Sequence, residues 1–213
     1  MNVEFVDSMG TDLTVINAAR VSFDKYHELF TGSDEKLIAY LAKQGHWTPF
    51  GYPQLQFRIA APIFVARQLV KHHVGLVWNE ISRKYIDSKP RFYTTDRWRS
   101  KAKDKKQGSG KGFIELTGDD YSLIQTANET SLEAYNKLLS KGAAPEQARM
   151  VLPQSMYTDW HWTGSLYAFA RICKLRMSED AQEETRYVAQ KISTLIDTKF
   201  PISWQCLMKE SNV

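Results

Sequence analysis

Apolar and polar side chains alternate over residues 52–60 (YPQLQFRIA), a period of two that predicts a strand with one buried face. Residues 3–6 predict a second strand, and residues 91–93 and 155–162 two further extended segments. Helical spacing dominates elsewhere. Residues 11–21 read as a short helix ending at Arg20, and residues 34–44 as another, capped by Ser33 and closed by Gly45. Residues 61–72 read as a helix with Pro62 in its first turn, where a missing N–H costs nothing. In residues 119–141, Leu123, Ile124, Ala127, Ser131, Ala134, Tyr135, Leu138 and Leu139 form a stripe expected to face the core. Gly142 ends that helix, and Pro145 opens a short one that carries Arg149 and stops before Pro153.

Residues 163–177 predict a helix on which Ser165, Phe169, Ile172 and Arg176 share a stripe. The last long helix, residues 179–199, takes Ser178 as its cap and turns Ala181, Thr185, Val188, Ile192 and Leu195 inward. Pro201 stops it before a short helical tail. With no repeat and no internal boundary, the expectation is one α+β domain spanning residues 1–213, a mainly antiparallel sheet with helices packed around it.

Composition narrows the class. A chain of 213 residues with 43% hydrophobic content and a mean hydropathy of −0.43 is expected to be soluble and to hold a core without staples. No apolar run is long enough to cross a bilayer, and MNVEFVDSMG lacks the form of a signal peptide. Cys173 and Cys206 lie in no metal or redox motif and suit a reducing compartment, hence a cytoplasmic location. The net charge of +4 favours anionic ligands without demanding nucleic acid. Residues 97–112 (RWRSKAKDKKQGSGKG) read as a flexible basic loop, since Trp98 is the single aromatic and strand-binding surfaces interleave several with their charge.

Candidate chemistry concentrates in residues 68–85 (QLVKHHVGLVWNEISRKY). On a helix, Gln68, Lys71 and His72 share a face. Were residues 79–85 extended, Glu80, Ser82 and Lys84 would share a side, an acceptor, a hydroxyl and a cation suited to a sugar and a phosphate. Pro49 makes Thr48 extended, so residues 46–50 form a fixed turn presenting His46 and Thr48. Arg149 sits in apolar company and needs an anionic partner if buried. Arg176 closes an apolar stripe, either as a snorkelling helix end or as a guanidinium facing a ligand. A metal site from His46, His72 and His73 is not expected, because adjacent histidines diverge and no Glu or Cys completes the ligand spacing.

Four ordered segments resemble the flavin-dependent thymidylate synthases. Gly-His-Trp-Thr-Pro-Phe at 45–50 resembles that family's second motif. Its signature, Arg-His-Arg followed by Asn-Glu-x-Ser-x-Arg-Tyr, is matched by Lys71-His72-His73 and by Asn79-Glu80-Ile81-Ser82-Arg83-Lys84-Tyr85, with lysine or histidine for three arginines. Ala148-Arg149-Met150-Val151-Leu152-Pro153 and Leu175-Arg176 supply the other two.

The resemblance implies that dUMP becomes dTMP with 5,10-methylenetetrahydrofolate, FAD and NADPH, in a homotetramer with shared sites. It assigns Thr48, Lys71, His72, His73, Val74 and Glu80 to the flavin, with Ser165, Tyr167 and Arg171 in flavin-lining places where the family carries asparagines and an arginine. It assigns Gln68, Lys71, Glu80, Ile81, Ser82, Arg83, Lys84, Tyr85, Arg149 and Arg176 to the nucleotide, and puts His46 near flavin or folate. Arg176 would face the uracil ring. Ser82 is placed like a nucleophile, but no base stands beside it, so phosphate binding is the expectation. With hydride coming from reduced flavin, no cysteine nucleophile is required. The rival readings are C5 modification of another pyrimidine nucleotide, by dCMP methylation or hydroxymethylation, and nucleic-acid binding through residues 97–112.

Overall fold

The computed structural model describes residues 1–86, 88–103 and 108–209. Its centre is a four-stranded antiparallel sheet in the order β1–β2–β6–β3, from β1 (Asn2–Met9), β2 (Gln54–Pro62), β3 (Leu76–Glu80) and β6 (Tyr157–Ser165). Alternation in β2 buries Leu55, Phe57 and Ile59, and β6 buries Trp160 and Trp162 on the same inner surface. Phe169 meets Phe57 edge-on at 5.1 Å and Trp162 at 5.5 Å. Such rings add about 0.5–1.5 kcal/mol per pair beyond their burial.

Helices α1 (Asp12–Arg20), α2 (Gly32–Lys43), α3 (Ile63–Leu69), α6 (Leu166–Arg176), α7 (Glu183–Lys199) and α8 (Pro201–Lys209) contribute their apolar stripes to one continuous core. Asp34 anchors α2 from within. Its fully buried carboxylate accepts from Arg20 at 2.9 Å, from His27 at 3.0 Å and from Thr31. Burial works against ionisation there, but these donors hold the carboxyl well below its usual range. The α+β, mainly antiparallel architecture is as expected.

Several boundaries differ, each for a local reason. The cap of α2 is Thr31, not Ser33, because Thr31 and Asp34 form a capping box. β2 runs on to Pro62, which pairs with Tyr157, so α3 covers Ile63–Leu69 rather than residues 61–72. β6 likewise extends to Ser165 before α6 begins. Ser178 caps no helix: its hydroxyl donates to the Leu175 carbonyl, and α7 starts at Glu183 behind Gln182. In the segment 91–93, pairing reduces to a single bridge from Phe92 to Met156.

The segment 97–112 departs most from expectation. Instead of a loop it forms a hairpin of β4 (Trp98–Lys101) and β5 (Ser109–Ile114), with residues 104–107 outside the described residues. Gly110 lets the strands close, since a Cβ there would come within 2.4 Å of Ser100 Oγ. Arg99 then ties the hairpin to α7, pairing with Glu183 at 3.1 Å and Glu184 at 2.7 Å.

Helix α4 (Gly118–Ser140) is the second departure. Of its predicted core stripe only Tyr135 is buried; Leu123 is 71% exposed. It packs chiefly on the short α5 (Pro145–Ala148) and the 3-10 turn Arg149–Val151 rather than on the main core.

Candidate active site

A cavity of about 1010 Å³ opens where the chain leaves α3 and re-enters the sheet at β3. Lys71, His72, His73 and Val74 form one wall, and Tyr167 and Arg171 of α6 the other. Gly75 makes this junction possible. Its φ of +76° is left-handed, and a Cβ there would sit 3.2 Å from Ala168 Cβ. The Ser165 hydroxyl accepts from the Ala168 N–H and so caps α6.

The end of α6 delivers Arg176 to this region. Its Nε donates to His72 Nε2 at 3.0 Å, and its terminal nitrogen donates to the Gln68 carbonyl at 3.1 Å. His72 must therefore be neutral at Nε2. Burial lowers its pKa, and the nearby positive charges of Arg176, Arg171 and His73 lower it further. Burial also lowers the pKa of Arg176, a group that remains a cation at any working pH.

The Gln68 side chain, expected to face a ligand, is turned toward α7. It donates to Gln182 at 2.5 Å and accepts from Thr185 at 3.2 Å. Residues 46–50 lie beside the cavity. His46 meets Tyr40 edge-on at 6.2 Å, while Trp47 packs against Tyr167 at 5.9 Å. Sequence reasoning passed over Trp47. The available signal was a large aromatic held inside a Pro-fixed turn.

The second half of the signature lies elsewhere. Strand β3 ends at Glu80, which accepts from Thr158 at 2.6 Å and from Trp78 at 3.2 Å. Four strand steps separate Glu80 from the cavity wall at Leu76, roughly 14 Å. Residues 81–85 are a turn rather than extended strand, closed by Tyr85 N–H to the Ser82 carbonyl at 3.0 Å. The turn arises because Ser82 Oγ also takes the Lys84 N–H, a local bond that competes with sheet pairing. Glu80, Ser82 and Lys84 therefore do not form one strand face.

Arg83 donates to the Ser88 carbonyl. Lys84 reaches Glu146 at 3.8 Å, and Arg149 donates to the Glu146 carbonyl at 3.3 Å. Lys84 and Arg149 thus meet at Glu146 of α5, with Ser82 in the turn that carries Lys84 and with Arg149 and Tyr85 exposed. The named contacts of Arg176 instead run to His72 and Gln68.

Among the described residues, no group of three His, Cys, Asp or Glu side chains could hold a metal ion, and no helix is long and apolar enough to cross a membrane. Cys173 is fully buried and burial pushes its thiol up, which makes it a poor nucleophile.

A family profile described as "Thymidylate synthase complementing protein" matches residues 4–202. A flavin-dependent thymidylate synthase from Thermus thermophilus is 38% identical over 95% of this chain and 73% of its own length. One from Kosmotoga olearia is 36% identical over 97% and 89%. A crystal structure of a UMP/dUMP methylase, PolB from Streptomyces cacaoi, bound with 5-Br dUMP, superposes with a TM-score of 0.84 at 32% identity, covering 96% of this chain and 93% of that one. The same methylase bound with 5-Br UMP gives 0.83 at 30% identity.

Proposed function

The chain belongs to the flavin-dependent thymidylate synthase family, and on that premise we propose that it methylates dUMP to dTMP, with 5,10-methylenetetrahydrofolate as carbon donor and FAD and NADPH as the source of hydride. The observation that carries the reading is the Arg176–His72 contact beside a cavity walled by the basic triplet. dCMP methylation, hydroxymethylation and nucleic-acid binding are not favoured.

The cavity suits FAD in size and charge. Its about 1010 Å³ lies at the upper end of small-molecule sites. Lys71, Arg171 and Lys174 line it with cations for a diphosphate, and Tyr167 backed by Trp47 offers an aromatic face. Bound flavin supplies the redox chemistry, so the protein's part is positioning and electrostatics. Lys71, His72, His73 and Val74 would hold the cofactor from one side and Tyr167 and Arg171 from the other. Thr48 and His46 would border it through the Trp47 turn, and Ser165 would act through the α6 cap it forms.

Arg176 is the residue for the pyrimidine. Two acceptors fix its guanidinium, and further N–H donors remain to polarise a ring carbonyl. Ser82, Arg83, Lys84 and Arg149 would take the phosphate, with Glu80, Ile81 and Tyr85 shaping the approach. Ser82 then serves as a phosphate ligand rather than a nucleophile. Gln68 acts through its backbone carbonyl, which holds Arg176.

The phosphate cluster and Arg176 sit in two places of one chain, which favours sites completed between subunits of a homotetramer. Exposed apolar side chains beside Arg149, with Met150 at 79%, and along α4 suit such contacts. The two free cysteines suit the cytoplasm. Tritium release from 5-tritiated dUMP, dependent on methylene-folate, FAD and NADPH, tests the reading, with Arg176→Ala as the inactive control. Running UMP beside dUMP tests whether the ribonucleotide is also accepted, as the name of the PolB neighbour suggests. No tritium release from either nucleotide would refute the assignment.

A further inference from the structure

A second cavity of about 840 Å³ lies between the β4–β5 hairpin, the first half of α4 and the start of α7. It shares no lining residue with the cavity at His72, and none of the roles above uses it. Tyr93, Trp98 and Tyr121 give it aromatic walls, and Phe64 meets Tyr93 edge-on at 5.7 Å beneath them. Gln125 and Gln182 add amides; the Gln125 nitrogen is held by Glu129 and the Gln182 oxygen by Gln68, which leaves the Gln125 oxygen to accept from a ligand.

Charge separates the two arginines on its lining. Arg99 is neutralised by Glu183 and Glu184. Arg97 instead lies over the Phe113 ring, 4.5 Å from its centroid, and among the described residues no carboxylate pairs with it.

We propose that this cavity is a second ligand site, taking a planar heteroaromatic ring that carries an anionic group. The aromatic walls suit the ring's faces and the amides its polar edge. Arg97 answers the anion, and the volume falls in the range of small-molecule sites. Phosphate or carboxylate would satisfy the same guanidinium, so nucleotides and pteridine carboxylates are the two sources. The hairpin that closes the cavity is the basic segment whose charge the sequence left without a task.

The test is calorimetric titration of FAD-loaded, dUMP-saturated protein with AMP and, separately, with folic acid, adenosine serving as the uncharged control. Saturation with dUMP and FAD closes the first site to AMP. Folic acid can still meet the folate position there, so only the part of its binding that Arg97→Gln weakens and Ala127→Trp removes is assigned to the second cavity. Binding of AMP alone identifies a nucleotide site, and binding of folic acid alone a pteridine site. Arg97→Gln should weaken whichever binds by about tenfold or more, the loss of one charge-assisted contact. Ala127→Trp, which fills the cavity from α4, should abolish binding. Both variants should melt like the parent and still release tritium from dUMP, so failure here leaves the assigned reaction intact. Silence with both anionic probes, binding within about twofold of the parent in either variant, or adenosine binding as well as AMP would each overturn the proposal.

Discussion

Arg176 closes an apolar stripe and Arg149 opens an apolar run, yet the fold treats them in opposite ways. Arg176 is half-buried, and its own chain supplies two acceptors, His72 Nε2 and the Gln68 carbonyl. Arg149 is exposed, with one long bond to the Glu146 carbonyl, among apolar side chains that are exposed too. One guanidinium is pre-organised by acceptors of its own chain; the other presents its charge at the surface. Pre-organised donors lose little on meeting a ligand, whereas a free arginine must be ordered by something else. The contrast teaches that one fold can hold one arginine in a fixed pose and leave another to be ordered by whatever it meets.

The largest effect should come from testing this division directly. Arg176→Ala is expected to lower kcat for dTMP formation by roughly 100- to 1000-fold, the usual consequence of removing one pre-organised donor. Arg149→Ala should instead raise the KM for dUMP, since in its proposed role it would meet the phosphate in ground and transition state alike. If each site draws Arg176 and Arg149 from different subunits, mixing the two variants restores activity. Random assembly in equal amounts would rebuild about a quarter of the sites. Refolding the variants together and measuring tritium release at dUMP well below the KM of Arg149→Ala decides it: no recovery above either parent places both arginines in one chain's site and ends the comparison.

Next in size is the altered triplet. Lys71 is a point charge where the resembled signature carries a bidentate arginine. Lys71→Arg is expected to tighten FAD by about tenfold, from a charge-assisted contact of about 1.5–3 kcal/mol. Fluorimetric FAD titration measures it. The parent protein should lose its yellow colour on extensive dialysis, and full retention would contradict the argument.

How far the sequence revealed this arrangement depends on where short-range rules govern. The strand over β2 and the helices α2 and α7 follow from local pattern and survive within a few residues, whereas Thr48, expected to be extended before Pro49, instead opens the 3-10 turn Thr48–Gly51. Residues 81–85 did not, because Ser82 can bond its own neighbours and a side-chain oxygen competes silently with sheet pairing. The α4 stripe was legible as amphipathic but not as exposed: period predicts that a face needs covering, not by what. The β4–β5 hairpin was hidden by its charge, because Arg99 is matched by Glu183 and Glu184, more than eighty residues away. Arg176 stood out in the helix period, whereas its partners His72 and Gln68 required the fold.

A smaller effect distinguishes the pre-organised half by pH. The folded-state pKa of His72 lies below its ordinary 6.5. Protonation would turn the acceptor of Arg176 into a third cation beside Arg176 and Arg171. The stability from this contact is therefore present above pH 6.5 and is lost as pH falls through the lower folded value. The kcat/KM for dUMP should show an acid limb below pH 6.5. His72→Gln keeps an acceptor for Arg176 but cannot titrate, so the limb should flatten by a few-fold, while in Arg149→Ala it should persist.

The smallest effect belongs to the surface half. Lys84 and Glu146 are 3.8 Å apart with side chains 42% and 58% exposed, a geometry in which an ion pair is worth less than about 1 kcal/mol. Glu146→Gln should therefore leave the melting temperature within about two degrees. It should nonetheless tighten dUMP by about two- to three-fold, because Glu146 competes with a phosphate for the Lys84 ammonium. The same substitution spares the Arg149 contact, which uses the Glu146 backbone. A KM for dUMP that stays constant or rises would mean that Lys84 does not meet the phosphate, and would leave Arg149 as the principal charge of that half. Repeating the measurement at high salt sharpens it, since screening should erase the gain at an exposed lysine and leave the Arg176 side nearly unchanged.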